Sequence, residues 1–94
     1  MDSAQSIEKK FVVGNKLGLH ARPAALLVRT ANRFKSEISI QKGKHRVNGK
    51  SIMGVMMLAA GPGSKVTIRV HGADQANAMK EIEKLFHRSF GEKE

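Results

Sequence analysis

The segment Lys65–His71 constrains the fold more than any other part of the chain, because its side chains alternate strictly. Val66, Ile68 and Val70 are apolar, and the residues between them are polar. A period of two places the apolar side chains on one face of a β-strand and the polar ones on the other. Such a strand fits a sheet that is covered on one side and faces water on the other. We expect it to lie centrally in that sheet.

Three further segments have strand patterns. Residues 36–41 alternate with Ile38 and Ile40 facing inward, and residues 45–48 follow after the turn 42–44, so the two segments predict a hairpin. Residues 7–13 predict a first strand with Ile7, Phe11 and Val13 on one face. We expect His45 to be an exposed strand residue.

Helical periodicity predicts three helices. The first covers residues 20–34 and the second begins after Ser51. The third follows a cap at Asp74, continues to Phe90 and ends at Gly91. The predicted inward residues share three- and four-residue spacing; they are Ala24, Leu27, Val28, Ala31 and Phe34 in the first helix, Val55, Leu58 and Ala59 in the second, and Ala76, Met79, Ile82, Leu85 or Phe86, and Phe90 in the third.

The order strand, helix, strand, strand, helix, strand, helix predicts a two-layer α+β fold, with a four-stranded antiparallel sheet and three helices on one face. Ninety-four residues are enough for one modest core. We therefore interpret residues 1–94 as a single domain, with residues 1–6 as a flexible N-terminal extension. The chain has four Phe and no Trp or Tyr, so the core must be mainly aliphatic.

His20 lies where a glycine-containing loop becomes the first predicted helix. Pro23 fits the first turn, because the earliest helical N–H groups have no intrahelical acceptor. Free N–H groups and the positive end of the helix dipole favour an anion beside His20, and they favour the uncharged, nucleophilic form of its imidazole. Arg22 adds a planar guanidinium that suits phosphate oxygens. These groups together predict a site that accepts a phosphoryl group as phosphohistidine. The alternative is a capping or partly buried histidine.

Ser51 predicts an N-cap for the second helix. Because that helix is too short to bury every side chain, we expect Ile52, Met53 and Met56 to form a partly exposed apolar patch that binds partners. The alternative for Ser51 is a cap with a purely structural role.

Other sequence features exclude several classes of protein. The chain has no Cys, and its four His show no His-x-x-x-His spacing, so we expect neither disulfides nor a metal site, and no cofactor. No apolar run is long enough for a signal peptide or a membrane span, so a soluble, cytoplasmic protein without membrane insertion is expected.

The formal net charge of +9 predicts attraction to an acidic surface. A small basic nucleic-acid-binding domain is the alternative function. Two observations disfavour nucleic acid as the partner: Tyr and Trp are absent from the sequence, and the basic residues are scattered along it.

Two strings resemble one known family. Asn15-Lys16-Leu17-Gly18-Leu19-His20-Ala21-Arg22-Pro23-Ala24 resembles the active-site segment of the histidine-containing phosphocarrier (HPr) family of the phosphoenolpyruvate-dependent phosphotransferase system. Residues 50–56, Lys-Ser-Ile-Met-Gly-Val-Met, resemble the regulatory segment of many HPr proteins. Residues 15–18 and 85–91 also resemble the nitrogen-related NPr branch, whereas the Ser51 segment is more typical of the carbon-regulated branch, so both branches stay open. The resemblance covers residues 7–90 and implies the same two-layer fold.

The resemblance also implies a function. His20 would accept a phosphoryl group from phospho-Enzyme I, through Nδ1, and pass it to a histidine of an Enzyme IIA protein, with Arg22 stabilising the phosphate. The protein would then be a stoichiometric carrier and no enzyme. Ser51 would be phosphorylated by an HPr kinase/phosphorylase. Lys16, Arg29 and Lys50 would steer acidic partners to the protein, which we expect to act as a monomer. A regulatory docking protein with an idle His20 is the third interpretation.

Overall fold

The computed structural model describes residues 5–92 and contains the predicted α+β fold. The elements in chain order are β1 (Ile7–Val12), α1 (Ala21–Ala31), β2 (Glu37–Lys42), β3 (His45–Asn48), α2 (Ile52–Met57), β4 (Lys65–His71), α3 (Gln75–His87) and a 3-10 turn (Ser89–Gly91). The first strand thus ends one residue before Val13, where the prediction placed its end.

The sheet has the strand order β1-β4-β2-β3, and every neighbouring pair is antiparallel. Strand β4 lies between β1 and β2, which confirms its central place. The pairing aligns Phe11 with Val66 and Ile40 with Ile68, so these apolar side chains share one face. The three helices cover that face, and Lys10, Thr67 and Arg69 are among the polar side chains on the outer face.

The core lies between the sheet and the helices and is mainly aliphatic, as predicted. Ile40 and Ile68 from the sheet and Leu27 and Ile82 from the helices are almost completely buried. Three of the four Phe form one cluster: the rings of Phe11 and Phe86 stack at 4.5 Å, and Phe90 packs edge-on against Phe86 at 4.9 Å. This cluster joins β1 to the end of α3.

Helix α1 ends at Ala31, and the prediction that it extends to Phe34 was wrong. The side chain of Asn32 donates to the carbonyl of Val28 at 2.9 Å, and the next amides switch to i−3 acceptors, from Arg33 to Thr30 and from Phe34 to Ala31. The Val28 carbonyl thus accepts from both the backbone and the side chain of Asn32, and the i−3 bonds tighten the last turn. Phe34 is half-buried in the following loop.

The end of α2 also differs from the prediction, because Ala59 is exposed while Val55 and Leu58 are buried. Ala59 has a φ of 49°, and Lys42 Nζ donates to the carbonyls of Leu58 and Ala59 at 3.1 Å each. The left-handed residue reverses the chain there, so Ala60 occupies the buried position.

Helix α3 ends at His87, earlier than the predicted end at Phe90. Ser89, Phe90 and Gly91 all have positive φ, of 48°, 56° and 77°. This left-handed segment turns the chain away from the helix axis and directs residue 92 toward α1. Near the start of the helix, Ala76 is exposed, contrary to prediction, and Ala78 is buried in its place.

Asp74 precedes α3 as predicted, but its side chain makes no capping hydrogen bond. Its carboxylate accepts from the backbone N–H of Lys35 and Ser36, at 2.9 and 3.0 Å, and from Ser36 Oγ. The bond from Ser36 Oγ contributes most to lowering the pKa of Asp74. Asp74 therefore connects the loop that follows α1 to the start of α3.

The predicted flexible extension begins with residues 1–4, which lie outside the described residues. Ser6 Oγ accepts from Arg69 Nε at 3.1 Å, and the carbonyl of Gln5 accepts from Gln75 Nε2. The single-domain assignment and the flexibility of residues 1–6 remain predictions.

Candidate phosphoryl-acceptor site

His20 is the N-cap residue of α1, as the sequence predicted. Its backbone is extended (φ −74°, ψ −171°), and its carbonyl accepts from the N–H of Ala24 at 3.0 Å. Its side chain makes no capping hydrogen bond. The imidazole is about one-third exposed, so a partner protein can reach it.

A close contact between two loops holds His20 in place. The N–H of Leu19 donates to the carbonyl of Ala60 at 2.8 Å. Gly18 has a φ of 71°, and a Cβ there would lie 2.5 Å from the same carbonyl. A glycine is therefore required directly before the buried Leu19.

The first turn of α1 presents two open backbone donors beside His20. Within residues 5–92, no backbone carbonyl accepts from the N–H of Ala21 or Arg22. Pro23 is the third helical residue and has no N–H to offer. The exposed Arg22 side chain lines the same cleft as His20. Two amides and one guanidinium can therefore contact an anion on the imidazole.

Glu92 is part of the site, which the sequence did not indicate. Its Oε2 lies 2.9 Å from His20 Nε2, and its Oε1 accepts from Asn15 Nδ2 at 2.6 Å. The hydrogen bond from Asn15 contributes most to lowering the pKa of Glu92, and His20 and Arg22 lower it further. A carboxylate at Nε2 favours the tautomer with its proton on that nitrogen, an assignment that follows from the hydrogen bond.

Asn15 connects this carboxylate to the chain. It is fully buried, and its Nδ2 also donates to the carbonyl of Ser89 at 2.7 Å. Because both partners are acceptors, the orientation of the amide is fixed. Its Oδ1 has no hydrogen-bond partner among residues 5–92. Asn15 therefore holds the left-handed tail against the loop that precedes α1.

These groups line an open cleft of about 520 Å³. Its lining residues are Lys16, Leu17, His20, Arg22, Phe90, Gly91 and Glu92. Leu17 is 70% exposed at the rim, so it offers an apolar contact to a partner. The structure thus brings together three of the predicted residues, His20, Arg22 and Lys16.

The His20 cleft is separate from a groove of about 690 Å³ on the outer face of the sheet. At about 520 Å³, the His20 cleft has room for a phosphoryl group and a further side chain. The groups around the imidazole can bind such an anion.

Ser51 is the N-cap of α2, as predicted, and its Oγ accepts from the N–H of Gly54 at 3.1 Å. The side chains that follow are exposed: Ile52 by 41%, Met53 by 71% and Met56 by 43%. The exposure expected from helical spacing is therefore confirmed. Met57, which is 77% exposed, extends the same apolar patch, although the sequence analysis did not include it.

Arg29 and Lys50 lie away from His20. Arg29 is in the last turn of α1, about 13 Å from the N-cap along the helix axis. Lys50 Nζ donates to the carbonyl of Phe34 at 2.6 Å, so its charge stabilises the loop that follows α1. The structure places these two cations at the end of α1 opposite the His20 cleft.

Comparison of the sequence with known protein families shows which family the chain belongs to. The family described as "PTS HPr component phosphorylation site" matches residues 7–88. The chain belongs to the HPr family. The resemblance found in the two sequence strings is thereby confirmed, and the protein is a phosphocarrier of the phosphotransferase system.

Individual HPr proteins are similar over nearly the whole chain. The phosphocarrier protein HPr of Neisseria meningitidis is 50% identical over 90 residues, which cover 96% of this chain and 97% of that protein. The crystal structure of HPr-C-His from Thermoanaerobacter tengcongensis has a TM-score of 0.90 at 43% identity and covers 94% of this chain and 99% of that one. An HPr dimer from the same organism has a TM-score of 0.75 at 47% identity, over 83% and 90% of the two chains.

Two further properties of this HPr-family chain concern residues 5–92 alone. In that range no helix is long and apolar enough to cross a membrane. The same residues bring together no group of three or more His, Cys, Asp or Glu side chains that could hold a metal ion.

Proposed function

We propose that His20 accepts a phosphoryl group from phospho-Enzyme I and passes it to a histidine of an Enzyme IIA protein. The observation that supports this most directly is the position of the imidazole at the helix N-cap. It is reachable from solvent, and it lies beside two open amides and the Arg22 side chain. An anion at this point gains from the amides, the helix dipole and the guanidinium.

Nδ1 is the nitrogen that we expect to react. Nε2 is occupied by Glu92, and among residues 5–92 Nδ1 has no hydrogen-bond partner. With the proton on Nε2, Nδ1 has a free electron pair. Glu92 therefore acts as a positioning residue in this proposal, because it fixes both the ring and its tautomer.

The transfer exchanges one phosphorus–nitrogen bond for another. Nδ1 of His20 attacks the phosphorus, and the bond to the histidine nitrogen of Enzyme I breaks, which returns the electron pair to that ring. The same exchange then moves the group to the Enzyme IIA histidine. Because donor and acceptor are both phosphohistidines, each step is close to neutral in free energy. The protein contributes orientation and charge stabilisation.

Mass spectrometry after incubation with Enzyme I and phosphoenolpyruvate tests the assignment. We expect one added phosphoryl group, labile to acid and mapped to His20, and heteronuclear NMR should show it on Nδ1. His20→Ala should remove the label, whereas the matched variant His45→Ala should retain it, since His45 lies exposed on β3. Labelling that persists in His20→Ala would contradict the proposal.

Ser51 is proposed as a regulatory phosphorylation site for an HPr kinase/phosphorylase. Its hydroxyl lies at the start of α2, directly before Ile52 and Met53 in the exposed apolar patch. A phosphate there would add close to two negative charges next to a surface that binds partners by apolar contact. The fold itself would tolerate the group, because acidic residues are favourable at a helix N-cap.

Ser51→Asp tests this regulation separately from His20. Asp preserves the cap and adds one negative charge, so we expect slower phosphorylation of His20 by Enzyme I, by about tenfold. Ser51→Ala, which loses the cap without adding charge, should retain the native rate. Equal rates in the three proteins would contradict the regulatory role and would leave the role of His20 intact.

The remaining proposals concern partners and location. We propose that Lys16, at the cleft, and Arg29, farther along α1, attract acidic partners, and that the protein acts as a cytoplasmic monomer. The placement of Lys16 among the cleft residues supports its role most directly.

A further inference from the structure

The outer face of the sheet gathers cations that are distant in the sequence. Lys10 of β1, Thr67 of β4, Gln41 of β2 and Arg46 of β3 are paired in one row across the sheet. Lys65 and Arg69 lie two residues to either side of Thr67 on β4. Lys10, Arg46, Lys65 and Arg69, the outer-sheet cations, therefore surround Thr67.

The outer-sheet cations are available to an external ligand. All four are exposed, and within residues 5–92 none forms an ion pair with a carboxylate. Arg69 Nε donates to Ser6 Oγ at 3.1 Å, which leaves the other guanidinium donors open. Two carboxylates, Glu8 and Glu37, also lie on this face, next to Arg69 and His71 in the pairing.

The spacing of the outer-sheet cations exceeds what one small anion can contact. Lys65 and Arg69 are about 13 Å apart along β4, and Lys10 and Arg46 are separated by three strand spacings, about 14 Å. A groove of about 690 Å³ extends this surface beside Ser39, Arg46, Asn48, Arg69 and His71. A ligand that engages all four cations must have negative charges repeated over that distance.

The chemistry of the face favours a phosphate backbone over a protein or a membrane. Ser39, Gln41 and Thr67 lie between the cations, and hydroxyl, amide, Lys and Arg groups are the side chains that contact nucleic-acid phosphates. Protein interfaces need apolar or aromatic anchors at their centre, whereas the only large apolar side chain exposed on the strands of residues 5–92 is Val12. No Phe ring is classed as exposed in that range, and the sequence has no Tyr or Trp, so the face provides no such ring for stacking with unpaired bases.

We propose that the outer face of the sheet binds the phosphate backbone of double-stranded nucleic acid without sequence specificity. The basic residues are scattered in the sequence, but the antiparallel pairing brings four of them together. The helices and the His20 cleft lie on the other side of the sheet. Binding to duplex is therefore compatible with phosphorylation of His20 and does not depend on it.

Fluorescence anisotropy with a labelled, mixed-sequence DNA duplex tests this proposal between about 50 and 200 mM NaCl. Neutralising four phosphates predicts a slope of about −3.6 for the logarithm of the binding constant against that of salt concentration. The variant Lys10→Gln/Arg46→Gln/Lys65→Gln/Arg69→Gln should lose most of this slope and bind at least about tenfold more weakly at the lowest salt.

A matched control removes two Lys and two Arg on the helical side, through Arg33→Gln/Lys80→Gln/Lys84→Gln/Arg88→Gln. These side chains are also exposed, and the control should keep the native slope. Circular dichroism and thermal unfolding establish that both variants are folded. Equal losses in the two variants would show an effect of net charge alone and overturn the proposal. So would the absence of salt-dependent duplex binding, or binding confined to vesicles that contain phosphatidylserine.

Discussion

His20 and Glu92 are separated by 72 positions in the sequence, yet Nε2 of the imidazole lies 2.9 Å from Oε2 of the carboxylate. The left-handed turn at residues 89–91 and the buried Asn15 bring the two side chains together. The segment 89–92 is thus part of the proposed phosphoryl-acceptor site. Glu92 places a negative charge at one nitrogen of the ring, and the other nitrogen has no hydrogen-bond partner among residues 5–92.

Glu92 should make the stability of the protein depend on pH. Its pKa is lowered from the usual 4.5, chiefly by the hydrogen bond from Asn15. A carboxyl group whose pKa is lower in the folded state contributes stability above its unfolded pKa and loses it as the pH falls through the folded value. Glu92→Gln should therefore reduce the free energy of unfolding at pH 7, with a smaller difference below about pH 4.

Urea denaturation at several pH values measures this difference. Glu8→Gln is the control, because it removes an exposed carboxylate that forms no ion pair among residues 5–92. A constant difference between the native protein and Glu92→Gln across the pH range would show that Glu92 does not have the predicted role.

Arg22 should affect the rate of phosphoryl transfer more than stability. Its side chain is exposed at the cleft and is the guanidinium nearest His20 in sequence. Arg22→Gln removes a charged donor from the phosphate oxygens, so we expect the rate of transfer from Enzyme I to fall by about tenfold or more. Arg46→Gln, on the outer sheet face, is the matched change. Stopped-flow or quenched-flow labelling measures both, and similar rates for the two variants would refute the assignment.

Met53 should contribute to partner binding through the exposed patch on α2. Met53→Lys places a charge on a side chain that is 71% exposed, so the fold should be retained while affinity for Enzyme I falls by about tenfold. Val12→Lys introduces the same change at a residue 56% exposed on the sheet, and its affinity should be native. Isothermal titration calorimetry compares the two; an unchanged Kd for Met53→Lys would place the docking surface elsewhere.

A comparison of Gly18 with Gly43 distinguishes the stability cost of a steric clash from that of backbone strain. Both have positive φ, of 71° and 60°, but a Cβ at Gly18 would lie 2.5 Å from the carbonyl of Ala60, and one at Gly43 would meet nothing within 4 Å. We expect Gly43→Ala to cost about 1–2 kcal/mol of stability and Gly18→Ala about 2–5 kcal/mol. Chemical denaturation measures both. Equal costs would mean that the loop at Gly18 can move away from Ala60.

Much of the fold follows from local patterns in the sequence. The alternation of Lys65–His71 fixes which face of β4 is buried, because a strand can satisfy a two-residue period in only one way. His20 at the start of a helix follows from Pro23 and from the spacing of Ala24, Leu27 and Ala31. Ser51 as a cap follows from the same kind of signal. These features depend on residues within a few positions of one another.

The errors in the predicted helix ends have a different origin. Phe34 and Phe90 continue the apolar spacing of their helices, but each helix ends earlier. The backbone switches to i−3 hydrogen bonds after Asn32 in one case, and three left-handed residues turn the chain in the other. Phe90 is buried through its contact with Phe86 although it lies outside the helix. An apolar residue at helical spacing therefore indicates burial without requiring helical backbone.

The sequence by itself determined the strands, the helices and the place of His20 at a helix start, because each is encoded by periodicity, capping or a short motif. Only the tertiary structure placed Glu92 and Asn15 at His20 and gathered Lys10, Arg46, Lys65 and Arg69 on one face. Such contacts depend on strand pairing and on the path of a left-handed turn. Their physical cause is the packing of distant segments, which no local pattern of residues records.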